Sequence, residues 1–151
     1  MIDRIIKYRV IGYNSPMMDV DSLIFNTSVG LVATTKEGEF RINDEDVHLV
    51  QYTGFNDVNG KEIYEGDILE YVWVVNRDKT REQVREELII NRGGPIKDRW
   101  AIVSFRKYRF MYKPVFPHLN DGYDKYRSFK DSEDVEVIGN IYENKNLLKD
   151  E

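Results

Sequence analysis

Apolar residues in this chain come in short runs separated by frequent turn residues, and few stretches keep a helical period. Ile5–Ile11 is β-branched and aromatic with charges interspersed, which predicts a first strand. Gly12-Tyr13-Asn14-Ser15-Pro16 breaks it with a turn. Met18–Phe25 predicts a second strand, with Val20 and Phe25 facing the core. After a break at Asn26–Gly30, Leu31–Thr35 and Phe40–Ile42 flank a hairpin tip at Lys36–Glu39. The acidic run Asn43–Asp46 is a solvated loop or the first turn of a short helix, and Val47–Phe55 is the next strand.

The centre of the chain is the most heavily punctuated. Asn59-Gly60 is a strong hairpin signal, because a type I′ turn needs positive φ at both central positions. Lys61–Tyr64 is the return strand. Glu65-Gly66-Asp67 is a second tight turn, in which Asp67 bonds local N–H groups. Ile68–Val75 follows as the most apolar strand of the chain. Over Asp78–Leu88 the pattern changes. Thr80-x-x-Gln83 resembles a capping box, and Val84 and Leu88 lie four apart, so a short surface helix is the first choice. A charged hairpin arm is the alternative, since Glu87–Asn91 is β-friendly. Trp100–Tyr112 is one long strand or a bent pair. A Pro-rich loop follows, and Tyr123–Phe129 is ambiguous. Val135–Ile141 is the closing strand, with Gly139 marking a bulge or bend, and Asn144–Leu148 is a short tail with one helical turn.

This pattern predicts a mainly β fold. The organisation expected is an N-terminal β arm over residues 1–46 and a small, partly open β-barrel, SH3-like in part, over residues 47–151. A charged insertion occupies 76–98, and there are at most one or two short helices. A single continuous domain is the alternative division.

Composition narrows the class of protein. At 151 residues the chain can bury a real core, while 32% charged residues fit a surface-rich molecule. There is no cysteine, which excludes disulfides. The opening MIDRIIKYRV lacks a signal peptide's apolar core, and no stretch reaches the ~20 apolar residues that span a bilayer. The expectation is a cytoplasmic protein with no membrane partner. Net charge is −5 but unevenly spread: residues 99–130 carry eight basic and two acidic side chains, leaving −11 on the rest.

Tests for site chemistry return little. Two histidines, His48 and His118, without cysteine, fall short of a structural zinc set. Asp57-x-Asn59-Gly60 resembles part of a calcium loop. Aligning Gly60 to the sixth position, however, puts Phe55 at the first and Gly66 at the twelfth, where carboxylates are required. Asp19-x-Asp21 places two carboxylates on one face of a strand, without a phosphate-binding partner nearby. Asp67, Glu65 and Glu70 form a similar acidic group. Nucleotide-binding and nucleophile-elbow motifs are absent. The expectation is a non-enzymatic protein with no cofactor and no metal.

One constellation has functional weight. Phe105–Lys113 (FRKYRFMYK) interleaves basic and aromatic residues, and nine of the nineteen aromatics lie within 99–130. Read as one extended strand, it shows Phe105, Lys107, Arg109, Met111 and Lys113 on one face and Arg106, Tyr108, Phe110 and Tyr112 on the other. Arg106, Lys107, Tyr108, Arg109, Tyr112 and Lys113 are therefore the candidate binding residues, for nucleic acid or a protein partner. The competing explanation is structural: aromatics suit strands, and long basic stems cover apolar surface.

The segment VQYTGFNDVNGKEIYEGDILEY closely resembles the hallmark of the YopX family, through Gln51–Gly54, Asp57 and Asn59–Ile68. The closing phrase VIGNIYEN (Val137–Asn144) and the openings Ile6–Arg9 and Asp19–Phe25 resemble the family's in the same order. The stretch Asn76–Asp98 departs from it, being longer and more charged. The resemblance implies a β-rich protein of bacteriophages and of prophages in Gram-positive bacteria, with no catalytic residues to carry over. The function expected is that of an accessory protein acting by protein binding and self-assembly as a homo-oligomer. A nucleic-acid-binding module is the alternative, and an enzyme with a carboxylate-bound metal is third. The apolar strand Ile68–Val75 motivates the oligomer.

Overall fold

A computed structural model describes residues 6–72, 74, 78–106, 109–116, 127–128 and 135–149. The fold is mainly β, with three antiparallel sheets and one α-helix among the described residues. The chain divides into two compact units, Met1–Gly54 and Phe55–Glu151.

In the first unit, β1 (Tyr8–Ile11) lies between β2 (Met18–Asp19) and β6 (His48–Asn56). Val10 stands opposite Met18 on one side and Leu49 on the other. The β1–β2 turn gives Tyr13 and Asn14 consecutive positive φ angles of 52° and 61°, and Ser15 N–H donates to Gly12 O at 2.9 Å. Left-handed backbone is costly for tyrosine. Here the ring stacks on Phe40 at 5.3 Å, and its hydroxyl donates to Asp44, which raises the phenol's pKa. A second sheet runs β3 (Ser22–Asn26), β4 (Gly30–Thr35), β5 (Gly38–Arg41). Val10, Ala33, Phe40 and Val47 form the core, lined by Met18, Val20, Ile42 and Leu49.

The single strand expected over Met18–Phe25 is broken at Val20–Asp21, and its halves enter different sheets. Val20 packs against the core as expected. Phe25 does not: it is 74% exposed, because β3 is an edge strand beyond the core.

In the second unit, β7 (Glu62–Tyr64) and β8 (Asp67–Tyr71) precede α1 (Arg81–Arg92). A five-stranded half-barrel then runs in the order β11 (Arg127–Ser128), β10 (Arg109–Pro114), β9 (Trp100–Arg106), β8, β12 (Val135–Asn140). Its two faces are both covered. Ile63, Leu69, Tyr71, Val103 and Val135 pack together with Phe55, Tyr112 and Val137. Ile68, Trp100 and Phe116 pack with Ile102, Ile138, Ile141, Leu147 and Leu148. A strand buried on both faces reads as a continuous apolar run, as Ile68–Val72 does but for Glu70, and Ile68, Leu69, Tyr71 and Val72 are all packed in the chain's own core.

Within the insertion, Arg81–Arg92 is a helix, as the capping box predicts. Thr80 Oγ1 accepts from Gln83 N–H at 3.2 Å and Gln83 Oε1 accepts from Thr80 N–H at 2.9 Å. Gly93, at φ 72°, ends it in the left-handed conformation. The closing strand carries its irregularity between Val137 and Gly139, where the register against β8 shifts.

Candidate functional site

The residues that dominate the sequence's central motif are structural. Asp57 is buried, and Oδ1 accepts from the backbone N–H groups of Asn59 and Lys61, each at 2.9 Å. Oδ2 accepts from Val137 N–H on β12 at 3.0 Å. Of the Asn59-Gly60 pair only Gly60 takes positive φ, 81°, so the turn is not type I′. It is a wider loop folded around the Asp57 carboxylate, closed by Asp57 N–H on Lys61 O at 2.7 Å. Asp67 orders the next turn, as expected, by accepting from Tyr64 N–H at 2.8 Å. Gly66, at φ 86°, bonds Val103 O and Ile141 N–H, and a Cβ there would stand 2.9 Å from the Tyr142 ring. Burial, followed by the Glu65 carboxylate, raises the Tyr142 phenol above its usual range.

Glu70 is the most deeply buried acid among the described residues, at 2% exposure. It accepts from Trp100 Nε1–H at 3.0 Å and from Arg85 Nε–H at 2.5 Å. The hydrogen bond to Glu70 raises the Arg85 pKa and outweighs the opposing effect of burial. Arg81 adds bonds to Glu136 Oε2 at 2.8 Å and to Glu70 O at 3.2 Å. No residue of α1 is fully buried; Val84, Leu88 and Ile89 are half-buried, and Arg81 and Arg85 carry the helix's side-chain hydrogen bonds to the half-barrel. Among the described residues no three acids or histidines cluster as a metal site. Asp19 pairs with Arg9 at 2.8 Å, and Asp21 lies beyond the end of β2.

The basic stretch forms a hairpin, and this changes its faces. Arg106 ends β9 and Arg109 begins β10, and the two stand directly opposite each other. Cross-strand partners share a face. Arg106, Arg109 and, two pairs along, Lys113 therefore lie on one face, where the single-strand reading separates Arg106 from the other two. Tyr112 lies on the other face, half-buried, with its ring 6.5 Å from Tyr71. Phe110 is buried there against Phe105, ring centroids 5.0 Å apart. Lys107 and Tyr108 lie outside the described residues.

The surface that sequence reasoning missed is β3. All five of its residues are exposed, including Leu23, Ile24 and Phe25 in succession. A run of three apolar residues puts apolar side chains on both faces of a strand. The signal was the absence of alternation within Ser22–Asn26, together with the absence of any charge.

No helix among the described residues is long and apolar enough to cross a membrane. A family model described as YopX protein matches residues 7–149. The chain is similar in fold to the crystal structure of protein EF1440 from Enterococcus faecalis, with a TM-score of 0.59 and 20% identity over 97% of this chain and 100% of that one. No curated protein matches the chain.

Proposed function

We propose, from the premise that this chain belongs to the YopX family, that it acts by binding rather than catalysis, and that it self-associates. The observation that carries this reading is the exposed apolar run Leu23-Ile24-Phe25 on an edge strand. Contiguous exposed apolar residues mark interaction sites. The buried carboxylates that a catalytic reading would draw on, Asp57, Asp67 and Glu70, each accept from donors of the chain itself. The setting inferred from the family resemblance is an accessory role in the cytoplasm of a bacterium carrying a phage or prophage. Light scattering coupled to gel filtration tests self-association. A mass above the 17.9 kDa of one chain, rising with protein concentration, is expected. A constant single-chain mass through the micromolar range would end this reading.

A second reading, polyanion binding, has one observation in its favour. Arg106 stands opposite Arg109 at the end of the β9–β10 hairpin and shares a face with Arg109 and Lys113, which gathers positive charge on one side of the sheet. The double change Arg106→Glu with Arg109→Glu is then expected to abolish binding to single-stranded DNA or RNA at low salt. Wild-type affinity should fall steeply with added salt, as phosphate contacts require. No retention on either polymer at low salt would dismiss this reading.

A further inference from the structure

Sheet edges are normally blunted by shortness, charge, proline or bulges. Most described edges of this protein are. β2 and β11 have two residues each, β5 carries Glu39 and Arg41 around its one buried residue, and β12 has Glu136 and the irregularity before Gly139. β3 has none of these devices. It is five residues long, regularly paired to β4 from Ser22 opposite Thr34 to Asn26 opposite Gly30, uncharged, and exposed throughout. Its outer edge is a template for another strand.

We propose that the occupant of that edge is β3 of a second copy, paired antiparallel across a twofold axis that passes at Ile24. This deepens the self-association reading and rests on it. The sequence Ser-Leu-Ile-Phe-Asn is symmetric in polarity about its central residue. In this register Ile24 meets the partner copy's Ile24, Leu23 meets Phe25, and Ser22 meets Asn26. Every apolar residue faces an apolar one, and polar faces polar. The flanking acid fits as well: Asp21 immediately precedes β3, so in an antiparallel pair the two copies' Asp21 residues lie at opposite ends and no carboxylate meets another. Sliding the strands until Asp21 meets its own copy would oppose like charges and leave Phe25 without a partner strand.

Continuity with the core supports the same occupant. Leu23 stands opposite Ala33, which stands opposite Phe40, and Ala33 and Phe40 are core residues of the first unit. Leu23 and Phe25 lie on this face of the sheet. Pairing across the axis carries the apolar row from Phe40 and Ala33 through Leu23 to the second copy's Phe25, and the reverse. The three-stranded sheet becomes six-stranded and ends on both sides in the charged β5. A single strand pair buries less than a standard protein interface, so the contact belongs to the weak, transient class.

The chain has no cysteine, so a single introduced thiol reports the register without background. Ile24→Cys is expected to give a disulfide-linked dimer under mild oxidation. Leu23→Cys alone stays largely unlinked, whereas a mixture of Leu23→Cys and Phe25→Cys links across the axis. Phe25→Lys should reduce the light-scattering mass to that of one chain with an unchanged melting temperature, since Phe25 is exposed. A dimer that survives Phe25→Lys, with Ile24→Cys unlinked, overturns the β3 contact and leaves self-association standing. A monomer at all concentrations overturns both.

Discussion

Asp57→Ala is expected to destabilise the second unit by about 3–5 kcal/mol, since each buried donor left unsatisfied costs about 1–3 kcal/mol and three backbone N–H groups lose their acceptor. In a protein of this size that lowers the melting temperature by roughly 6–20 °C, taking roughly 2–4 °C per kcal/mol. The effect exceeds that of an ordinary turn mutation because the carboxylate does two things. It sets the Asn59–Lys61 loop, and it joins that loop to β12, 80 positions away along the chain. Asn59 Nδ2 to Glu136 at 3.3 Å and Val58 N–H to Val135 O at 2.9 Å strengthen the same seam. Asp57→Asn keeps one acceptor for the loop but turns an NH2 group toward the Val137 N–H, so about half the loss is expected. Tryptophan fluorescence follows the correct unit, because both tryptophans, Trp73 and Trp100, lie in residues 55–151. A loss under about 1 kcal/mol for Asp57→Ala would show that water replaces the carboxylate, and would remove Asp57 from the centre of this account.

That seam explains what the central motif is for. The two phrases that carry the family resemblance, one around Asn59–Ile68 and one at Val137–Asn144, are far apart in sequence and meet in the fold. Gly66 O accepts from Ile141 N–H at 2.9 Å, and Tyr142 lies against Gly66. Asn140 Oδ1 in turn accepts from Tyr142 and Glu143 N–H. The signature is thus a recipe for closing the half-barrel.

Local rules were readable in the sequence wherever the deciding contacts are local. The capping box at Thr80–Gln83, the Asp67 turn and the irregularity before Gly139 each follow from residues within a few positions. Expectations failed where a distant partner decides. Asn59-Gly60 has the composition of a type I′ turn, yet the Asp57 carboxylate imposes another geometry. The paired positive φ angles appear instead at Tyr13-Asn14, where stacking on Phe40 supports them. Phe25 is as apolar as a core residue, and only strand order reveals it as an edge. The faces of the basic stretch depended on the chain reversing between Arg106 and Arg109, since a reversal there puts both arginines on one face. Glu70 gave no sequence signal separating it from a surface acid, because its partners Arg85 and Trp100 lie 15 and 30 positions away.

The Glu70 cluster yields the second large effect, and its asymmetry is the informative part. Removing one partner of a buried ion pair costs about 3–5 kcal/mol, mainly through the charge left behind. The two partners are not equally buried: the Glu70 side chain is 3% exposed and that of Arg85 34%. In Glu70→Ala the stranded guanidinium can turn to water, so the cost comes chiefly from the unpaired Trp100 N–H and the cavity, about 2–3 kcal/mol. In Arg85→Ala the carboxylate stays where water does not reach and keeps only the indole, so the larger loss, about 3–4 kcal/mol, is expected there. Replacing an exposed arginine on a helix with no buried residue would ordinarily change stability by less than about 0.5 kcal/mol. Glu70→Gln combined with Arg85→Met should recover most of the deficit, because the amide still accepts from Trp100 and no charge remains to be solvated. Urea titrations of the two single variants and the double variant, followed by tryptophan fluorescence, measure the three losses. Equal, small losses for both single changes would mean that α1 is held by its half-buried apolar residues Val84, Leu88 and Ile89, and not by its arginines. If the ordering is instead as expected, the helix is a charged strap fastened to a buried acid. Lifting it exposes Glu70 and Trp100 together, so α1 should exchange its amide hydrogens faster than β8 and β9.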